Sequence, residues 1–309
     1  MKNFTKADIT KTTALEEAIR LVFGIEVRDR TQVLSTETML GEVAEEYDRI
    51  GTASRIMTYD TLCEDFKNRT GCYGANHTNM QIGTIVDVGC GSGLLSIRLA
   101  EQTNGKVFGI DLSPDMLRLA RNNLDIRLKE KQMETEEFHK KLPDYCKPKE
   151  KVQDTKISST IQLPIDFKEG SIYALSEIFE DKKDINYVVC RNVLHRLIQP
   201  EKALKEMYQI LAPKGKIYVR DLKRDADWTT IVNRIGEERW QNQLLVIDYL
   251  GAMAAMLTIK EVKDMLTSIG IQNYEISDGH YKINEGPKDN SQMKEYATEV
   301  EYVCVIQKA

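Results

Sequence analysis

Gly89, Gly91 and Gly93 stand at alternate positions in "TIVDVGCGSGLLSIRLA", after a β-branched run and before an apolar helical pattern. A strand ending in this way must turn sharply and bring its backbone close to a ligand, because side chains there would block the approach. A nucleotide-type site follows. The dinucleotide fingerprint G-x-G-x-x-G needs its third glycine at position 94, where this chain has Leu94, with Gly93 one place earlier. Hydride transfer is therefore disfavoured. Asp111 ends the next strand candidate, "KVFGID", 18 positions after Gly93. A carboxylate there would accept hydrogen bonds from the two ribose hydroxyls of one adenosine.

The elements that position these residues alternate. "TIVDVG", "GLLSIRLAEQ", "KVFGID" and "SPDMLRLARNNL" read as strand, helix, strand and helix, the last capped by Ser113 with Pro114 in its first turn. Such alternation implies a parallel sheet with crossover helices. "INYVVCRN" and "GKIYVRDL" are buried-strand candidates around the helix "PEKALKEMYQILA"; "TIKEVKDMLTSIG" is a further helix, and "IQNYEIS" and "EYVCVIQK" supply two last strands. Residues 1–78 read as helical, including "ALEEAIRLVFGI" and "ETMLGEVAEEYDRI", and are expected to form a lid segment before a domain at 79–309. Residues 125–158 carry nine basic and eight acidic side chains and few large apolar ones, and read as a solvated, partly helical insertion. The stretch 226–257 reads as a helical cap.

The chain has 309 residues, 41% of them hydrophobic, a formal net charge of -5, and six cysteines without a C-x-x-C pair. That composition suits one large α/β domain with reduced thiols in the cytoplasm, and it makes a nucleic-acid partner unlooked for. No apolar run reaches the roughly 18 residues of a membrane span. No metal-binding pattern stands out.

"VDVGCGSG", "GIDLSPDML", "VVCRNVLHRL" and "ILAPKGKIYVRDL" together resemble the motifs of class I S-adenosylmethionine-dependent methyltransferases of small-molecule type, over about residues 80–225. The resemblance implies an α/β fold with a seven-stranded, mostly parallel, Rossmann-like sheet of order 3-2-1-4-5-7-6, closed by "EYVCVIQK" as an antiparallel strand. It implies S-adenosyl-L-methionine as cofactor, with Asp87 and the Gly89 backbone near the methionyl amine, Asp111 on the ribose, and Leu112 and Met116 flanking the adenine. Counted back from Asn186, where the family often has Asp, its usual acid and alanine after strand 3 fall on Tyr173 and Ala174.

Methyl transfer from a sulfonium already has a good leaving group, so the protein mainly supplies alignment and a dry pocket, with a base only where the acceptor must lose a proton. In such a sheet the acceptor arrives at the carboxyl ends of strands 4 and 5. Arg191, Asn192 and His195 follow strand 4, and Asp221, Lys223 and Arg224 end strand 5. His195 is the candidate base. Arg191 belongs with the cofactor site and, with Arg224, could clamp an anionic acceptor. Tyr47 and Tyr59 are placed to face the cofactor, where an aromatic face favours a sulfonium. Trp228, Trp240, Tyr249, Met253 and Met256 would line an acceptor pocket or pack as core. The N-P-P-Tyr motif of exocyclic-amine and amide methyltransferases is replaced by "RNVL", and Cys190 reads as a buried thiol. Three function classes remain: small-molecule methylation, which is favoured; methylation of a peptide or RNA; and non-catalytic binding of the cofactor.

Overall fold

The computed structural model describes residues 39–72, 83–103, 105–141, 162–181, 184–226, 243–279 and 300–309. The helical pattern at 14–25, the whole 142–158 stretch, Trp228 and Trp240 lie outside them. In chain order the elements are α1 (Gly41–Thr70), β1 (Thr84–Val88), α2 (Leu94–Thr103), β2 (Val107–Asp111), α3 (Pro114–Lys141) and β3 (Ile165–Glu169). After them come a short α4 (Leu175–Ile178), β4 (Ile185–Arg191), α5 (Pro200–Ile210), β5 (Lys216–Leu222), α6 (Gln243–Ala255), α7 (Ile259–Ser268), β6 (Tyr274–Asp278) and β7 (Glu301–Gln307).

The strands form one seven-stranded sheet of order β3-β2-β1-β4-β5-β7-β6. Its first five are parallel, and β7 runs antiparallel to both β5 and β6. The order and the closing strand are those the family resemblance implies. Every residue of β1 is buried, which suits a central strand covered on both faces and accounts for the β-branched residues on either side of Asp87. On one face Val86, Val88, Val188 and Val219 pack with Leu204 and Met207 of α5 and Leu266 of α7. On the other, Ile85, Val189 and Tyr218 pack with Leu62 and Phe66 of α1 and Leu99 of α2.

Local chemistry sets the helix ends that aim the site. Ser113 Oγ accepts the Met116 N–H (3.1 Å) at the start of α3 and donates to the Met39 carbonyl, tying the chain just before α1 to that cap. The Gly41 N–H, the first of α1, donates to Asp115 Oδ2 (2.7 Å). Thr258 and Glu261 form a capping box on α7. These caps place the starts of α1 and α3 side by side at the carboxyl edge of the sheet.

One boundary moves. The charged stretch expected from residue 125 begins inside α3, which continues to Lys141. Its outer turns are held by charge rather than by apolar burial: Arg127 reaches Glu101 of α2 (2.8 Å), Glu130 (3.1 Å) and Glu134 (3.2 Å), and Lys131 also approaches Glu101 (3.3 Å). Glu101 is the hub. Burial acts to raise its pKa, but hydrogen bonds from Arg98 and Arg127 hold the carboxyl below its ordinary value.

Candidate active site

The turn after β1 is held in left-handed backbone, with φ of 67° at Gly89, 55° at Gly91 and 76° at Gly93. A Cβ on Gly89 would stand 2.5 Å from Val193 Cγ2, and one on Gly93 2.6 Å from Phe167 Cζ, whereas one on Gly91 would meet nothing within 4 Å. The outer two glycines let the turn pack, and the middle one faces open space. Gly89 and Cys90 N–H both donate to the Ile110 carbonyl, at 2.8 and 3.0 Å, so the turn is stitched to the end of β2. Asp111 completes it: Oδ2 accepts the Gly91 N–H (2.8 Å) and Oδ1 the Ser113 N–H (2.9 Å). Burial raises the pKa of this carboxyl above its ordinary value, against the pull of those amides.

A cavity opens at this turn between the ends of β1, β2 and β4 and helix α1. Asp87, Gly89, Gly91 and Asp111 line it together with Arg191, Asn192 and Met116, and α1 contributes Tyr47 and Tyr59. A second recess shares Gly89, Asp111 and Leu197 with the first and adds Leu112, Ser171, Ile172 and Tyr173. Asp111 lines both recesses, as does Val193. Leu112 and Met116, expected to flank one group together, thus fall in different recesses.

Asp87 is 2% exposed and accepts a hydrogen bond from Ser96 Oγ (2.5 Å). Burial pushes its carboxyl up to about 7; the Asp111 charge adds to this, while the Ser96 hydrogen bond and Arg191 oppose it. The Arg191 guanidinium stands over the Tyr59 ring, 5.6 Å from its centroid. Its buried Nε, and the buried Oδ1 of Asn192, have no hydrogen-bond partner among the described residues.

Other expected site residues go elsewhere. His195 lines neither cavity. The short 3-10 turn Leu194–Arg196 directs it inward onto β5, where Nδ1 meets Asp221 Oδ1 (2.5 Å) and its backbone N–H donates to Asp221 Oδ2 (3.2 Å). A histidine held in this way ties the loop after β4 to β5. Lys223 is paired with Asp278 (2.6 Å), and Arg224 with Glu261 (2.6 Å) and the Met256 carbonyl (2.8 Å), so Arg224 is committed to structure. Met253 and Met256 are fully buried core, and Cys190 is a buried thiol whose pKa burial drives well above the usual range. The Tyr249 side chain lies outside the described ones.

The turn after β3 corrects the alignment there. β3 ends at Glu169, so the residues that immediately follow it into the second recess are Gly170, Ser171 and Ile172. Tyr173 also lines that recess, with its hydroxyl accepting the Gln199 N–H (3.2 Å), but Ala174 lines neither cavity. Counting back from Asn186 gave Tyr173, which lines this recess, but not its neighbours Ser171 and Ile172, which line it too. The signal that could have found them is the Gly170–Ser171 pair directly after the strand.

A family model described as a methyltransferase domain matches residues 81–270. None of the curated proteins matches the chain in sequence. Among solved structures, the fold is similar to the plantazolicin methyltransferase BpumL in complex with a monoazolic desmethylPZN analog and SAH, at 17% identity over 85% of this chain and 89% of that one, with a TM-score of 0.55. It is also similar to the plantazolicin methyltransferase BamL, at 13% identity over 99% of both chains and a TM-score of 0.55. A SAM-dependent methyltransferase from Aquifex aeolicus shares 14% identity over 86% of this chain and 98% of its own, with a TM-score of 0.50.

Proposed function

The chain belongs to the methyltransferase-domain family and uses S-adenosylmethionine as methyl donor, and from that premise we propose that it methylates a small-molecule acceptor admitted at the carboxyl ends of β4 and β5. The observation that carries the reading is the glycine turn tied to Asp111, with open space at Gly91, in a cavity that Asp87 and Asp111 also line. These residues fit the donor. Asp87 and the Gly89 backbone take its amine, the remaining lone pairs of Asp111 take the ribose hydroxyls, and Leu112, Ser171, Ile172 and Tyr173 enclose the base. Tyr47 and Tyr59 present aromatic faces to the sulfonium. Arg191 closes the same cavity beside Asp87.

When bound, the donor supplies an activated methyl group whose leaving sulfur needs no acid. What the chain adds is alignment and exclusion of water. Helix α1 acts as the cover in this reading, because it brings Tyr47 and Tyr59 to the cavity while its later turns pack on the sheet. Calorimetry tests the donor: S-adenosylmethionine and S-adenosylhomocysteine should bind and NAD should not, and the reverse ranking would sink the reading. Incubation with methyl-labelled donor and a cell extract tests the acceptor. Label in the small-molecule fraction supports the proposal, and label confined to protein, peptide or RNA overturns it.

A further inference from the structure

Arg196 lines the cavity, although nothing in the sequence marked it, and it is held there by Asp248 of α6. The turn that carries it is fixed, because the preceding His195 is bound to Asp221 of β5 and the Arg196 N–H donates to the Val193 carbonyl (2.8 Å). From that turn the guanidinium meets Asp248 end-on, Nη1 to Oδ1 at 2.9 Å and Nη2 to Oδ2 at 2.8 Å, with both side chains 14% exposed. Burial disfavours the cation, but the hydrogen bonds to Asp248 hold its pKa above the ordinary value. An end-on pair uses one N–H of each Nη. The Nε–H and the second N–H of each Nη have no partner among the described residues.

We propose that these N–H groups of Arg196 bind the acceptor, that Asp248 is the residue positioning them, and that the acceptor is an uncharged molecule, without carboxylate, phosphate or ammonium. The inference rests on the methyl-transfer reading given above and narrows its substrate class. Among the described residues, the charged side chains lining the two recesses are Asp87, Asp111, Arg191 and Arg196. The donor adds a carboxylate, an ammonium and a sulfonium, and its ammonium favours the ionised form of Asp87. Asp87, Asp111 and the donor carboxylate then match Arg191, the ammonium and the sulfonium, charge for charge. Arg196 adds nothing to this balance, because Asp248 offsets it.

A charged acceptor would enter as the unmatched ion in a site that excludes water, where such an ion is costly. An uncharged acceptor with a lone pair meets donors that are already oriented. The two-arginine clamp for an anion is not formed, since Arg224 is held by Glu261 and lines neither recess. Asp248 therefore acts twice on one partner: it fixes the plane of the guanidinium and removes the net charge that would select an anion.

The test uses the full chain, S-adenosylmethionine with a deuterated methyl group, and a protein-free metabolite extract of the source cells. Compounds that gain the label are identified by mass spectrometry, which gives the charge of the parent acceptor at neutral pH. An uncharged parent is expected with the wild type. Arg196→Gln should raise the extract concentration needed for half-maximal labelling about ten- to a hundredfold, with the maximal rate and the S-adenosylhomocysteine affinity nearly unchanged. Asp248→Asn leaves the guanidinium uncompensated and should move label toward anionic compounds, and Asp248→Glu should restore the wild-type pattern. A pair that served only to hold α6 would lower the melting temperature in these variants without altering which compounds are labelled. A charged parent acceptor in the wild type, or an Arg196→Gln variant that is folded and saturates as the wild type does, overturns the proposal. If the wild type labels no small molecule, the small-molecule reading itself fails, and this inference with it.

Discussion

Asp111 serves the turn as well as any ribose, since both its oxygens already accept backbone amides. Asp111→Ala should therefore weaken S-adenosylhomocysteine binding roughly ten- to a hundredfold and also lower unfolding free energy by about 1–3 kcal/mol, because two buried N–H groups lose their acceptor. Calorimetry and urea unfolding read the two effects separately. Asp87 gives a pH signature. Its carboxyl moves from 3.8 to about 7 on folding, so between those values the folded state holds the extra proton and stability falls as pH rises through the window. Affinity for a cationic amine should rise through the same window, by up to about tenfold per pH unit below 7, and Asp87→Asn should flatten both trends. A wild-type affinity independent of pH would remove Asp87 from the amine site. The glycines and Asp111 could be identified in the sequence because each acts through its own backbone or at a fixed distance along the chain. The direction of His195 could not, because it is set by Asp221, 26 positions away on the next strand.

Helix α1 does two jobs along its length. Near its start it roofs the cavity with Tyr47, while further along Asp65 ties it to the sheet, accepting from Tyr218 Oη (2.5 Å), Arg220 Nη1 (3.2 Å) and Arg69 Nε (2.9 Å). Arg220 is fully buried and also meets Glu301 (2.6 Å) and the Gly279 carbonyl (2.8 Å). Asp65→Ala should cost about 3–5 kcal/mol in urea unfolding, since it leaves a buried guanidinium short of a partner. Hydrogen exchange should find residues 59–70 as protected as β1 and β4 in the free protein, and residues 39–48 slowed further when S-adenosylhomocysteine binds. Equal protection of both halves before and after binding would make α1 a fixed layer throughout. β1, β4 and β5 stood out in the sequence because most of their residues are buried and none is exposed. β3 was hard to place because only Phe167 of its five residues is buried. The outer half of α3 was read as an insertion because ion pairs, which leave no apolar periodicity, hold it.

At the scale of the molecule, the net charge of -5 gives no field to draw in a polyphosphate. An RNA oligonucleotide should show no binding with the steep salt dependence that phosphate contacts produce, as followed by fluorescence anisotropy. No helix among the described residues is long and apolar enough to cross a membrane. The strand order became an expectation only through the family resemblance, since nothing local in "EYVCVIQK" says that it slots between two earlier strands. That slot has a consequence for synthesis. β7 pairs with β5 along its whole length, Lys216 opposite Gln307 and Leu222 opposite Glu301, yet it follows β5 only after the intervening 223–300 stretch. While the ribosome makes that stretch, β5 has β4 on one side and a bare row of backbone donors and acceptors on the other. A nascent chain halted between Leu222 and Glu301 therefore carries an open edge with Ile217, Tyr218 and Val219 at its centre, the form in which chains on one polysome are most prone to pair with each other.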